Sequence, residues 1–371
     1  MKILAIKFKF LGDVAISVSA LRALRQAYPD AELHFLVSEE AVPILEYIPW
    51  INKVWGYPRK KEQGTKWKAL SMIHKLRQEK FDLSVDFVGN DRGAWISLLI
   101  GAKKRLGLLA PKGFWGRKYC YTNRIVEASH DMHEVERELH FLSQIGIPRP
   151  SSTEPELYSD PTLREYAEKV LPNGAILCHL SASVVSKEWP VDKWVEFYEQ
   201  SPELQDKLVF TSGASKREKQ LLEDLHFRIP KARIIKWLEF PSQSSDQTPK
   251  LSEDLYWKII NKRKISNTPS IAEPMALIDA CDAVICADTF IAHAASGLGT
   301  PLVVIFGPTI PKLWNPGGNS IIVETDWCKC RSFFYKCTND IHCLSVLPVA
   351  KVRKALNQLL ERKSAIEKVA H

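Results

Sequence analysis

No apolar run in this sequence reaches the roughly 18 residues that cross a bilayer, so the chain is not expected to span one. The opening residues, Met1-Lys2-Ile3-Leu4-Ala5-Ile6-Lys7, hold too short an apolar stretch for a secretory leader and are interrupted by lysine. A cytoplasmic location is therefore expected. No G-x-G-x-x-G follows this first apolar run, which speaks against a nicotinamide-dependent dehydrogenase. No recognisable DNA- or RNA-binding motif accompanies the basic clusters Arg59-Lys60-Lys61, Lys103-Lys104-Arg105 and Lys262-Arg263-Lys264, so no nucleic-acid partner is expected. The net charge of +8 instead suits an anionic substrate or an anionic membrane surface. No D-x-D pair of the kind that holds a metal-bound diphosphate stands at a candidate site, and no metal or other cofactor is required by the reading below.

The 371 residues are enough for two domains, and 45% hydrophobic with 25% charged residues is ordinary globular composition. Of eight cysteines, Cys178, Cys281 and Cys286 sit in apolar runs and read as buried thiols. Cys328, Cys330, Cys337 and Cys343 crowd together, but their spacing matches no usual zinc pattern. They read as a structural, reduced cluster; a metal-stabilised interaction protein is the rival that rests on them.

Strands and helices alternate. Strands are expected at Lys2–Phe8, Leu33–Val37, Lys53–Tyr57 and Phe81–Phe87. Helices are expected from Val14 to about Tyr28, over Ala41–Tyr47, over Trp67–Lys80 with Leu70, Ile73 and Leu76 on one face, and over Ala94–Ile100. Prolines 148, 150 and 155 approach a linker, and Pro161–Val170 reads as a bridging helix. The pattern restarts with strands at Ala175–Leu180 and Leu208–Thr211, a helix over Lys216–Leu225, a surface excursion at 240–267, a helix over Ile271–Ala280 and a final basic amphipathic helix, Val349–Val369. This alternation implies parallel, doubly wound sheets.

The second half centres on A-D-T-F-I-A-H-A-A-S-G-L-G-T-P-L-V-V-I-F-G, residues 287–307. The apolar run Asp282–Cys286 leads into it as a strand. A short helix follows, which Gly297 and Gly299 should stop, and Leu302–Phe306 is a second buried strand. Asp288, Thr289 and His293 therefore cluster at a strand's C-terminal end, where α/β sheets bind ligands and a helix N-terminus attracts phosphate.

D-T-x-x-x-H-x-A-x-x-x-G-x-P followed by an apolar strand and F-G-P-T resembles the C-terminal signature of the family 9 glycosyltransferases, the ADP-heptose:lipopolysaccharide heptosyltransferases and their relatives. Phe290 stands where that family usually has glycine. The opening strand with its Gly12-Asp13 turn, F-D-L-S-V-D-F at 81–87, G-A-K-K-R-L-G at 101–107, M-H-E-V-E-R at 132–137 and K-E-W-P at 187–190 are similar to further family segments. The resemblance implies an α/β fold of the GT-B type: two doubly wound Rossmann-like domains facing across a cleft. An acceptor-side domain would take residues 1–160. A nucleotide-sugar-binding domain would take 161–371, its final helix packing back toward the first.

It also implies an inverting transfer of heptose from ADP-heptose to an anionic lipopolysaccharide inner-core acceptor. The enzyme would be cytoplasmic and peripheral on the inner leaflet; of tryptophans 50, 55, 67, 95 and 115 in the N-terminal half, most are expected in the core and one or two at a membrane edge. Asp13, with Gly12 before it on the acceptor side, would be the general base. The local sequence alone favours Asp13 as a cap for a helix starting near Val14; the resemblance turns the reading to the base. Lys187 would neutralise the leaving diphosphate. Ser181, Ser183, Thr211, Ser212, Gly213, Asp288, Thr289 and His293 would line the donor site, and Glu218 would meet ribose hydroxyls or be a solvated helix residue. Gly307-Pro308-Thr309 would shape the same pocket. A relative using another nucleotide sugar or a protein acceptor, and a non-catalytic nucleotide-sugar-binding module, are the alternatives.

Overall fold

The computed structural model describes residues 1–58, 65–109, 113–126, 131–235, 270–325 and 342–370. The chain divides into two units, Met1–Tyr158 and Ser159–His371. The excursion expected at 240–267 and three of the clustered cysteines, Cys328, Cys330 and Cys337, lie outside the described residues.

In the first unit the strands are β1 (Lys2–Lys7), β2 (Glu32–Ser38), β3 (Lys53–Tyr57), β4 (Leu83–Asp86), β5 (Lys104–Leu109) and β6 (Asn123–Val126). They form one parallel sheet in the order β3-β2-β1-β4-β5-β6. The helices are α1 (Leu11–Ile16), α2 (Val18–Ala27), α3 (Val42–Leu45), α4 (Thr65–Gln78), α5 (Asp91–Leu99) and α6 (Glu134–Ser143). β1 is almost wholly buried, as a strand covered on both faces must be.

The helix expected over 14–28 is two helices. It begins at Leu11, with Phe10 at the N-cap, and breaks at Ser17. Ser17 Oγ lies 2.8 Å from the Asp13 carbonyl four residues back and 2.7 Å from Glu138 Oε1. A hydroxyl bonding back to the preceding turn bends a helix, and the buried glutamate holds it there. α4 also differs from expectation. It buries Leu76 and half-buries Ala69, Met72 and Ile73, while Leu70 is 56% exposed.

In the second unit α7 (Pro161–Val170) is capped by Asp160, whose carboxylate accepts from the Thr162 and Leu163 amides. The strands are β7 (Ile176–His179), β8 (Leu208–Thr211), β9 (Arg233–Ile234), β10 (Ala283–Ala287), β11 (Leu302–Phe306) and β12 (Ser320–Glu324). They form a second parallel sheet, β12-β11-β10-β7-β8-β9. Helices α8 (Val191–Glu199), α9 (Lys216–Arg228), α10 (Ala272–Ala280), α11 (Phe290–Leu298), α12 (Pro311–Trp314) and α13 (Val349–Ala370) complete the unit. α13 packs Val352, Leu356 and Leu359 into the core above β10–β12 of its own unit.

Both sheets have the same plan. The strand order reverses between β1 and β4 in the first and between β7 and β10 in the second. Loops leaving the C-terminal ends of those central pairs diverge to opposite sides, which opens a crevice. Gly297 lies inside α11; the stop is Gly299, in the left-handed region at φ 77°. Cys178, Cys281 and Cys286 are buried free thiols, Cys343 is buried, and burial pushes Cys281 up to about 12.

Candidate functional site

The second unit concentrates the predicted residues at its switch point. Cys286 pairs in register with His179, so the loops after β10 and β7 leave side by side. The β7 loop is pinned at two places. Buried Glu188 accepts from the Ala182 amide (2.8 Å) and from Arg217 Nη1 (2.7 Å), and Arg217 Nη2 donates to Ala182 O (2.6 Å). Next to it Trp189 is buried edge-on to Trp194, with ring centroids 5.0 Å apart. Between these anchors Lys187 projects across the crevice. Its Nζ lies 2.9 Å from Asp288 Oδ2 and 3.3 Å from Asp288 O. His293, buried one turn into α11, places Nε2 3.9 Å from Asp288 Oδ1.

α11 starts at the same point. Thr289 is its N-cap in an extended conformation, and its side chain makes no capping bond. Thr289 Oγ1 and, after the neighbouring strand, Thr309 Oγ1 are buried without a hydrogen-bond partner among the described residues. Buried hydroxyls are rarely left so, because each forfeits its bonds to water. Two such hydroxyls, an uncapped helix N-terminus and a lysine form a set of donors suited to an anion. A side chain at Gly307 would meet Leu344 at 3.0 Å and Ser186 O at 3.3 Å, so the Gly307-Pro308-Thr309 turn lies directly against the Lys187 loop.

A second group is joined through a residue that sequence reasoning missed. His179 Nδ1 is 3.0 Å from Thr211 Oγ1, and its Nε2 is 3.4 Å from Ser181 Oγ, which accepts from the Gly213 amide at 2.7 Å. Burial pushes His179 down to about 4, so it is neutral at physiological pH. It ties the β7 and β8 loops without adding charge. Ser212 is buried beside Gly213, with Oγ 3.3 Å from Gly213 O, and Ser183 is exposed on the β7 loop. Glu218 closes a capping box: its Oε2 accepts from the Ser215 amide (3.1 Å) and hydroxyl (2.5 Å), while Ser215 Oγ accepts from the Glu218 amide. That anchoring at the start of α9 is the structural role of its carboxylate.

The first unit holds Gly12 and Asp13 in the first turn of α1. The capping alternative for Asp13 fails. Phe10 is the N-cap, and Asp13 lies three residues further on. Among the described residues the carboxylate's one ion pair is with Lys9, Nζ to Oδ1 at 3.6 Å. Beneath it lies an ionic network that no sequence pattern signalled. Lys7, 0% exposed, contacts Glu138 and lies 3.3 Å from Glu134 Oε1; Glu134 also takes Arg137 at 2.6 Å and Lys9 at 3.7 Å. Burial would raise Glu134, but Lys7, Lys9 and Arg137 outweigh it and hold the group at about 2. Burial wins at Glu138, which is raised. The network fixes the end of β1, the Ser17 break and α6 together, and so fixes where Asp13 stands.

The sequence model of Glycosyltransferase family 9 (heptosyltransferase) matches residues 69–234 and 262–339. The chain belongs to glycosyltransferase family 9. It is an enzyme, a glycosyltransferase of the heptosyltransferase family. Lipopolysaccharide heptosyltransferase 3 of Escherichia coli is 23% identical over 363 residues, covering 95% of this chain and 97% of that one. Lipopolysaccharide heptosyltransferase 1 of Pseudomonas aeruginosa is 24% identical over 330 residues, covering 86% and 82%. Among solved structures, a family 9 glycosyltransferase from Veillonella parvula superposes with TM-score 0.75 at 19% identity, with 97% of each chain covered. The E. coli heptosyltransferase WaaC with ADP superposes with TM-score 0.69 at 17% identity, covering 97% of this chain and 100% of that one. The two-domain α/β fold expected of a family 9 enzyme is the fold observed.

Proposed function

We propose that this family 9 enzyme transfers heptose from ADP-heptose to a lipopolysaccharide inner-core acceptor with inversion at the anomeric carbon. The relatives named above are lipopolysaccharide heptosyltransferases, and a solved relative carries ADP. The observation that carries the reading is the donor set at the second switch point: Lys187 on Asp288, beside the uncapped α11 and the unbonded hydroxyls of Thr289 and Thr309. This set is matched to a diphosphate.

In the proposed step Asp13 takes the proton of the acceptor hydroxyl as its oxygen attacks the anomeric carbon. The bond from that carbon to the β-phosphate oxygen breaks, and ADP leaves with the electron pair. Lys187, the Thr289 hydroxyl and the α11 amides stabilise the charge that develops on the leaving oxygen. Lys187 exchanges Asp288 for phosphate as the donor enters, which keeps its charge paired before and during the reaction. Asp288 and His293 then face the sugar side of the pocket. No step runs through a metal.

Calorimetric titration of the full chain with ADP-heptose, with ADP and with a UDP-sugar tests the donor site. Micromolar ADP-heptose binding that weakens about tenfold or more in Lys187→Ala, one charge-assisted bond's worth, is expected. Preference for the UDP-sugar would move the reading to another donor, to which Phe290 at the first position of α11 would be relevant. Unchanged affinity in the variant would remove Lys187 from the site.

A further inference from the structure

The loop that carries Lys187 has no apolar anchor at its tip. Its turn, Val185–Lys187, buries none of its residues, and Val185 is 61% exposed. A segment of that kind takes its position from polar contacts rather than from packing. The base of the loop is fixed by Glu188 and Arg217. The tip is held from another direction. His342 Nε2 lies 2.7 Å from Ser186 O. A carbonyl oxygen can only accept, so Nε2 carries a proton and donates it.

This bond bears directly on Lys187. Ser186 O and the Lys187 amide nitrogen belong to one planar peptide unit. The Lys187 amide donates to Val184 O at 3.0 Å. The plane that enters the Lys187 Cα is therefore gripped on both sides, by Val184 and by His342. From there the side chain reaches Asp288, with Nζ 2.9 Å from Oδ2. His342 is itself firmly founded. It is the N-cap of the short helical turn Cys343–Val346, and its carbonyl accepts from the Ser345 amide at 3.0 Å and hydroxyl at 2.7 Å. Cys343, Leu344 and Leu347 seat that turn in the core of the second unit. The same turn sets Leu344 against Gly307, two residues before Thr309. One buttress thus backs both the lysine side and the hydroxyl side of the anion site.

We propose that His342 is a positioning residue for the transfer: through Ser186 it holds Lys187 where the donor's diphosphate is met. The proposal rests on the donor-site reading above. Without the imidazole, Ser186 O turns to water and the Lys187 peptide plane can tilt. A displacement of about 1 Å at such a group costs up to about a hundredfold in rate.

Two readouts on the full chain test it. The first needs no ligand: acetylation of the Lys187 amine by acetic anhydride, followed by mass spectrometry of its peptide. Pairing with Asp288 slows this reaction. His342→Ala should speed it about threefold or more, and His342→Gln, whose amide nitrogen can stand in for Nε2, should restore the slow rate. The second is a double-variant cycle on ADP-heptose affinity by calorimetry. His342→Ala should weaken binding about three- to tenfold, and His342→Gln should recover it. His342→Ala/Lys187→Ala should bind no worse than Lys187→Ala, because His342 acts through Lys187. If His342→Ala unfolds by circular dichroism, His342→Phe, which keeps a ring and removes the donor, takes its place. Unchanged acetylation without the imidazole, a glutamine variant as impaired as alanine, or losses that add in the double variant would overturn the proposal. Unchanged affinity in Lys187→Ala alone would overturn the donor reading instead, and the acetylation rates would still decide whether His342 holds Lys187.

Discussion

Replacing Lys7 by methionine keeps the length and apolar stem of the side chain and removes its charge. The ammonium is wholly buried, in contact with Glu138 and 3.3 Å from Glu134, and the side chains of both glutamates are at most 6% exposed. At an effective dielectric of about 20, a pair at that separation attracts by about 5 kcal/mol, most of which offsets the cost of taking the charges out of water. The variant keeps the carboxylates' share of that desolvation cost and loses the attraction. It leaves two buried carboxylates near one another, for which a loss of about 3–5 kcal/mol is expected. The loss should depend on pH in a defined direction. Without Lys7 burial raises Glu138 further, while Glu134 keeps Arg137 and Lys9, so the folded form holds a proton on Glu138 that the unfolded form releases. Stability is then retained near pH 5 and lost as pH rises to 7. Hydrogen exchange of the β1 and α6 amides in urea, at pH 7 and pH 5, reads the effect where it arises. A second change, Glu138→Gln, should restore about 1–3 kcal/mol to Lys7→Met. A loss below about 1 kcal/mol at pH 7, or a deficit that grows toward pH 5, would refute the reasoning.

Other outcomes follow from the same kind of argument. His179 is held at about 4 against an ordinary value of 6.5, so the folded state binds fewer protons than the unfolded one. Its contribution is intact above pH 6.5 and falls by at most about 3 kcal/mol as pH drops toward 4. Exchange of the β7 and β8 amides should show that slope, and His179→Asn, which keeps a partner for Thr211, should flatten it. Gly299→Ala meets no atom within 4 Å, so its cost is that of the left-handed backbone alone, about 1–2 kcal/mol in urea unfolding of the second unit. A neutral result would mean that the C-cap relaxes out of that conformation.

What the sequence made legible was local. The stretch 287–307 holds strand, helix and strand within twenty-one residues, and its small side chains, polar cluster and terminal glycine can be read in order. Lys187 could be placed because Trp189 and Pro190 follow it directly. The contacts that hold these residues were not legible, because they join distant positions. Lys7 and Glu138 are 131 residues apart, and Glu188 and Arg217 are 29 apart. Nothing in either neighbourhood distinguishes a buried ion from a solvated one. Ser17 hid a helix break for the same reason, since its hydroxyl depends on Glu138. Leu70 shows the opposite error. Helical spacing pointed it inward, whereas it lies on the outer face with Trp67. Periodicity identifies an apolar face but not what covers it.

The central claim is that Asp13 deprotonates an acceptor hydroxyl while the second unit holds the departing ADP. The direct measurement is ADP release from ADP-heptose with and without a lipopolysaccharide-core acceptor, comparing the wild type with Asp13→Asn, which preserves shape. The account predicts acceptor-dependent release that falls about 10²–10⁴-fold in the variant while ADP-heptose affinity is kept. Equal release from both proteins, or no release from the wild type in the presence of acceptor, would contradict it.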